Sequence, residues 1–364
     1  MGESREGFRS ESRLAMKPPF RADQVGSLLR PAGMSKDKWS RQDAIRRVVA
    51  KQEAIGLEAI TDGEFSRDWW HLDFLAQLEG VTLAPQAGPA PKFEGTTDQP
   101  PVPHVTGKLG YSQPIMVDDF AFLKSLTRKT AKFTIPSPSM LHLRAGRAGI
   151  STKAYPSLDE FWADAAQAYR AAIAAFAAAG CTYLQLDDVA FAYLCDPKIR
   201  DNCRKNGDDP AALPSIYSDT IKNSIKDRPA GMTITMHTCR GNFKSAWVAE
   251  GGYEPVAEAM FASGVDGFFM EFDSARAGGF EPLRFVPKGK KVVLGLVSSK
   301  TGTLESPDDL KRKIDQAAKY VPLEDLCLSP QCGFSSTHHG NRLTEDEQWH
   351  KLERVVQVAE EVWK

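Results

Sequence analysis

The chain has 364 residues, is 42% hydrophobic and 26% charged, and carries a formal net charge of -1. That composition suits a globular protein with a large core. The balanced charge, with no block of one sign, argues against nucleic acid or an anionic membrane as partner, and no apolar run reaches the roughly 18 residues of a membrane span.

In chain order, residues 1–19 mix Glu and Arg without an apolar centre, which reads as a disordered leader and excludes a secretory signal. Eight short β-leaning runs follow, at 23–29, 59–64, 132–138, 182–188, 232–239, 266–273, 291–299 and 326–333. Helical patterns fall at 40–55, 157–180, 211–227, 252–263, 306–320 and 344–362. Two of these carry start signals: Ser157 with Glu160 three residues on, as a capping box, and Ser306 followed by Pro307. Strands alternating with helices argue for a parallel sheet, and eight such units for a (β/α)8 TIM barrel over 20–364. A doubly wound sheet stays open, although no G-x-G-x-x-G follows any of these strands. The Pro- and Gly-rich stretch 79–114 is too long for an ordinary loop and is expected to be an extruded hairpin or lid inserted after the second βα unit.

In such barrels the active site lies at the C-terminal strand ends. Those ends offer Ser27, Asp62 and Glu64, Asp187 and Asp188, His237 and Cys239, Glu271 and Asp273, and Cys332. A period of two puts His237 and Cys239 of "TITMHTCRGN" on one strand face. Taken alone, H-x-C is a weak signal and Cys239 could be a buried thiol. Two thiols, an imidazole and a carboxylate from separate strand ends make a plausible tetrahedral Zn2+ site. Zinc keeps a thiolate deprotonated at neutral pH. Six cysteines are too few for a disulfide scaffold, so reduced thiols in the cytoplasm are expected. Of these, Cys327 reads as a core thiol.

"MHTCRGN", "FFMEFD" and "LSPQCGF" resemble the metal-binding segments of the cobalamin-independent methionine synthase family, specifically its C-terminal catalytic barrel. "QVGSLLRP", "TDGEFSRDWW" and "LQLDDVAFAYL" resemble three further segments of that barrel, so the likeness runs from about residue 20 to residue 362. The resemblance implies His237, Cys239, Glu271 and Cys332 as zinc ligands, with Glu271 displaceable. It also implies Ser27, Glu64 and Asp187 as the homocysteine-binding residues. Carboxylate partners suit an α-ammonium group, because charge-assisted hydrogen bonds offset its desolvation. They would repel the sulfonate of coenzyme M, used by related alkyltransferases. Uroporphyrinogen decarboxylase shares the fold but needs neither the zinc ligands nor the acid pair.

Two departures bear on the methyl donor, which is methyltetrahydrofolate or another small-molecule or corrinoid donor. The family enzyme has two barrels and this chain has room for one. The family also has a His in the loop after the seventh strand, where this chain reads "LGLVSSKTGTLES" with Lys300. His338 and His339, just beyond Cys332, are the candidates to deliver the leaving-group proton instead. The expected activity is zinc-dependent methyl transfer to homocysteine. The alternatives are another donor or thiol acceptor, or a non-catalytic zinc or thiol-amino-acid binder.

Overall fold

The computed structural model describes residues 17–85 and 101–364. The leader expected over 1–19 therefore lies, apart from residues 17–19, outside the described residues, as does the 86–100 part of the insertion. In chain order the elements are α1 (Lys38–Ala54), β1 (Ala59–Ile60), α2 (Leu72–Leu75), β2 (Glu79–Ala84), β3 (Val102–Gly110), α3 (Val117–Leu126) and β4 (Thr130–Pro136). They continue with α4 (Leu158–Ala178), β5 (Tyr183–Asp187), α5 (Ala190–Tyr193), α6 (Pro197–Lys205), α7 (Leu213–Ile225) and β6 (Thr233–Thr238). The last are α8 (Ala257–Phe261), β7 (Gly267–Glu271), β8 (Lys291–Val297), α9 (Pro307–Ala317), β9 (Leu326–Pro330) and α10 (Glu345–Val362).

Seven strands form one parallel sheet in the order β1-β4-β5-β6-β7-β8-β9. β5, β7 and β9 are buried at every position, as strands covered on both faces must be. The sheet is curled, and one segment reaches both of its edges. Asp23 N–H donates to Leu328 O on β9 at 3.0 Å, while Leu28 N–H donates to Gly63 O just beyond β1 at 3.0 Å. No regular strand forms over the predicted 23–29; the segment makes one parallel bridge, Ala22 to Leu328. Gly26, at φ +149°, turns the chain where a strand would run straight. An added Cβ there would meet Glu64 Oε1 and Thr134 Cγ2, both at 2.9 Å.

The predicted helices differ in detail. Ser157 caps α4 through Asp159 N–H at 3.1 Å, but Glu160 pairs with Lys108 of β3 rather than closing a capping box. Ser306 stands at the N-cap of α9 without a side-chain capping bond. The helix expected over 252–263 shortens to α8, and β7 is followed by two 3-10 turns, Ala275–Ala277 and Glu281–Phe285. Within the predicted insertion, β2 and β3 pair as an antiparallel hairpin. The hairpin is fixed to the start of α4, because Leu109 N–H donates to Tyr155 Oη at 2.7 Å and Ser151 N–H to Val105 O at 2.8 Å. Among the described residues no helix is long and apolar enough to cross a membrane.

An ionic cluster holds the closing segment inside the curl. Lys132 of β4 and Asp23 are both fully buried, with Lys132 Nζ 3.1 Å from Asp23 Oδ1. Tyr183 Oη of β5 donates to Asp23 Oδ2 at 2.8 Å, and Lys132 Nζ lies 3.9 Å from the centre of the Phe269 ring on β7. Burial pushes the Lys132 ammonium down from its usual range, and the Asp23 carboxylate opposes that shift. Removing one partner would leave the other charge uncompensated, so Asp23→Ala is expected to cost about 3–5 kcal/mol in urea unfolding. Replacing both charges, as Asp23→Ala with Lys132→Met, should recover much of that loss; equal losses in the single and double variants would disprove the pairing.

Candidate metal centre

Three metal-ligating side chains converge at the C-terminal end of the sheet. His237 is the penultimate residue of β6, Cys239 lies one residue beyond that strand, and Cys332 lies two residues beyond β9. Their ligand atoms all lie within 4.8 Å of one another, and all three residues are buried. The two sulfurs are 3.5 Å apart. A disulfide would need about 2.05 Å, whereas two thiolates on a tetrahedral zinc, with Zn–S near 2.3 Å, stand roughly 3.8 Å apart. The trio therefore fits a zinc ion, and it fits as three ligands bordering a cavity. Cys239 is pushed up from its usual thiol range, first by Cys332 and then by burial. Burial disfavours a charged His237, but Cys239 and Asp187 outweigh it and push the imidazole up to about 10.

Glu271 lies outside this trio. Fully buried at the end of β7, it accepts from Arg240 N–H at 2.8 Å and from Arg276 Nη2 at 2.6 Å. Burial alone would raise its carboxyl; Lys300, Arg240 and Arg276 outweigh that and hold it at about 2. Glu271 is thus an ionised carboxylate engaged by cations rather than a member of the ligand cluster.

The trio borders a cavity whose wall also includes Ser27, Glu64 and Asp187. All three residues are buried. Register sets Asp187 beside His237, since the two are paired across β5 and β6. Asp187 Oδ1 lies 3.4 Å from His237 Nδ1 and accepts from Gln185 Nε2 at 2.7 Å. Glu64 is a non-glycine residue at φ 61°, a conformation that costs energy and needs local support. Asp62 Oδ1 supplies it by accepting Glu64 N–H at 2.8 Å. Ser27 Oγ accepts from Ser335 N–H at 3.3 Å. Gly333 permits that approach, because a Cβ there would fall 1.9 Å from Ser27 Oγ.

Arg67 is the residue that sequence reading passed over. Its guanidinium lies 2.8 Å from Glu64 Oε1 and 4.0 Å from Asp187 Oδ2, so it stands between the two acids expected to face an ammonium group. It also donates to Thr134 O at 2.6 Å. Burial pushes the Glu64 carboxyl up, and Arg67 opposes it incompletely. The i, i+3 spacing from Glu64 was the available signal. The wall also includes Trp69 and Trp70, together with the unforeseen His71, Arg144, Tyr193 and Asn242.

His338 and His339 fall outside the lining, although Ser336 and Thr337 belong to it. Their rings pack on each other at 3.9 Å and edge-on against Trp69 at 5.7 and 5.2 Å. His339 also sits 5.2 Å from Phe243, and its Nδ1 is 3.1 Å from Thr337 Oγ1. Both histidines are thus members of an aromatic cluster at this end of the sheet.

Comparison with known proteins agrees with this geometry. Residues 32–361 match the family described as "Cobalamin-independent synthase, Catalytic domain". The chain is 46% identical to YxjH of Bacillus subtilis (strain 168) over 367 residues, covering 96% of each protein. It is 22% identical to a 5-methyltetrahydropteroyltriglutamate–homocysteine methyltransferase of Bacillus velezensis, over 90% of this chain and 42% of that longer protein. Among solved structures, a chain of Listeria monocytogenes described as a candidate vitamin-B12 independent methionine synthase superposes with a TM-score of 0.75 at 38% identity, covering 95% of this chain and 98% of that one. A B12-independent methionine synthase of Shewanella sp. W3-18-1, solved with selenomethionine, shares the fold at TM-score 0.71 and 20% identity, over 94% and 97% of the two chains. The chain belongs to the cobalamin-independent synthase catalytic-domain family.

Proposed function

We propose that the protein is a zinc-dependent methyltransferase that moves a methyl group onto the thiol of homocysteine, giving methionine. The observation that carries this reading is the buried His237, Cys239 and Cys332 trio opening on a cavity walled by Glu64, Asp187 and Ser27. These three residues would hold Zn2+, with Glu271 as the displaceable fourth ligand once it exchanges its contacts with Arg276 and the Arg240 amide. The ion would keep a substrate thiol as thiolate at neutral pH. Gln185 and the paired register of β5 and β6 fix Asp187 against the His237 ring, which orients the imidazole.

The amino-acid end is matched by charge. Glu64 and Asp187 share Arg67, so the three side chains together carry one net negative charge, which an α-ammonium group neutralises. The Ser27 hydroxyl and nearby backbone N–H groups would receive the α-carboxylate. A thiol bearing a sulfonate and no ammonium, as in the alternative alkyltransferase reading, would meet that negative charge unfavourably. Closure by residues 21–28 supports a (β/α)8 barrel with the 79–114 insertion outside it. The donor is a small-molecule or corrinoid methyl donor, methyltetrahydrofolate included. Six free cysteines accord with a cytoplasmic setting.

Purified protein is expected to contain about one zinc per chain by elemental analysis, and Cys239→Ser or Cys332→Ser to lose most of it. A wild type that neither carries zinc nor takes it up from a buffered solution would sink the proposal. Glu64→Gln should weaken homocysteine binding about 10- to 100-fold with zinc content intact, as loss of a charge-assisted hydrogen bond implies. Asp187→Asn should weaken both homocysteine and zinc, the latter by about tenfold, because it also orients a ligand. Calorimetric titration of each variant separates the two roles; unchanged homocysteine affinity in both would remove the acids from the site.

A further inference from the structure

Neutral methyl donors that release an amine need a proton on the departing atom, and the residue that supplies it should border the same cavity as the thiol. His338 and His339 do not line that cavity, but His71 does. It is 1% exposed, and among the described residues neither of its ring nitrogens has a hydrogen-bond partner. Leaving both nitrogens of a buried imidazole unfilled is costly, which marks them as reserved for a group that enters the cavity. The ring is held in place by Trp70, whose ring centre is 4.4 Å away, and by its position just before α2. Sheet order brings its companions to one arc: His71 follows β1, Arg144 follows β4 and Tyr193 lies in α5 after β5, and these strands are adjacent.

We propose that His71 is the residue that takes the proton from the entering thiol and holds it for the departing donor atom. This rests on the methyltransferase reading given above. As the thiol binds, its S–H bond breaks, the electron pair stays on sulfur, and the proton bonds to a free nitrogen of His71. When the methyl group moves, the S–C bond forms and the donor's bond to that carbon breaks. The electron pair remains on the donor atom, which then takes the proton from His71 and restores the neutral imidazole. Thiol and N-methyl donor become thioether and N–H donor, with no oxidant or reductant involved.

The charged groups around the ring suit this cycle. Burial first, then Arg144 and Arg67, push His71 well below its usual range, so the resting imidazole is neutral and able to accept. A thiolate bound in the same cavity adds negative charge that favours an imidazolium.

The test counts protons and needs no methyl donor. Homocysteine is titrated calorimetrically into zinc-loaded protein at pH 7.5, in two buffers of different ionisation enthalpy. At that pH a free thiol is mostly protonated, and metal binding of a thiol ordinarily releases its proton. Wild type is expected to release almost none to the buffer, and His71→Phe about one per homocysteine. His71→Asn, which keeps a donor and an acceptor but does not titrate, should behave like His71→Phe, so the test survives misfolding of either variant. Equal release from wild type and both variants overturns the assignment of His71 alone. Failure of homocysteine to bind the zinc-loaded wild type overturns the methyltransferase reading, and this inference with it.

Discussion

A buried guanidinium organises the mouth of this sheet. Arg67 leaves the turn after β1, reaches Thr134 on β4, and faces Glu64 and Asp187 together. A charge buried this deeply is tolerated only when its hydrogen bonds are filled and its counter-charges are close. That requirement fixes three neighbouring strand ends relative to one another. It also explains the strained backbone of Glu64, since the left-handed turn aims the carboxylate back at Arg67 rather than outward. Arg30 extends the same bracket, donating to Arg67 O at 2.6 Å and to Thr337 O at 2.7 Å on the loop beyond β9. Glu64 and Asp187 are therefore placed by a shared cation, and the three side chains together stay one positive charge short of balance.

The opposite end of the sheet uses the same device for a different purpose. Lys132, Asp23 and Tyr183 sit where the closing segment meets the strand starts, and their task is register rather than recognition. A segment broken by Gly26 cannot be held by a ladder of backbone bonds, so side-chain charges and hydroxyls take over. Its far end must nevertheless deliver Ser27 against Gly333 and the 333–335 loop. Ser27 is thus located by interactions made on both sides of the glycine, which is why a poor strand still gives a well-placed hydroxyl.

Much of this was legible in the sequence where one residue's role depended on its own strand. The spacing of His237 and Cys239, the position of Cys332, and the acids at strand ends all follow from a period of two and from where strands stop. The long helices α4, α7 and α10 were visible because their apolar periodicity extends over several turns. What escaped detection depends on partners far away in the chain. Nothing local in "SRDWW" marks Arg67, and only the approach of Thr134 and Asp187 makes it central. His71 carries no local signal either, and its unfilled nitrogens exist only in three dimensions. The run 23–29 leans towards strand, yet the close approach of Glu64 and Thr134 to Gly26 goes with a bend out of a regular ladder. Likewise, nothing local in "THHGNR" at 337–342 could reveal that Trp69 and Phe243 would gather both histidines into an aromatic cluster.

The loop after β8 shows how one substitution can change what a position does without leaving a gap. A histidine there could carry a proton between partners, whereas Lys300 acts through its charge. It is buried, and it leads the cations that hold Glu271 at about 2, ahead of Arg240 and Arg276. A carboxylate kept ionised in this way retains its affinity for metal, but it is also retained by the cations that surround it. The three side chains of the metal trio need no such arbitration, because strand register alone brings them together. For Glu271 to serve as a fourth ligand, a metal would have to compete with those three cations, one of which lies in the loop that differs from the family pattern. Variation in that loop therefore reaches the Glu271 carboxylate at the end of β7, while His71, Arg144 and Tyr193 line the cavity from the β1, β4 and β5 arc.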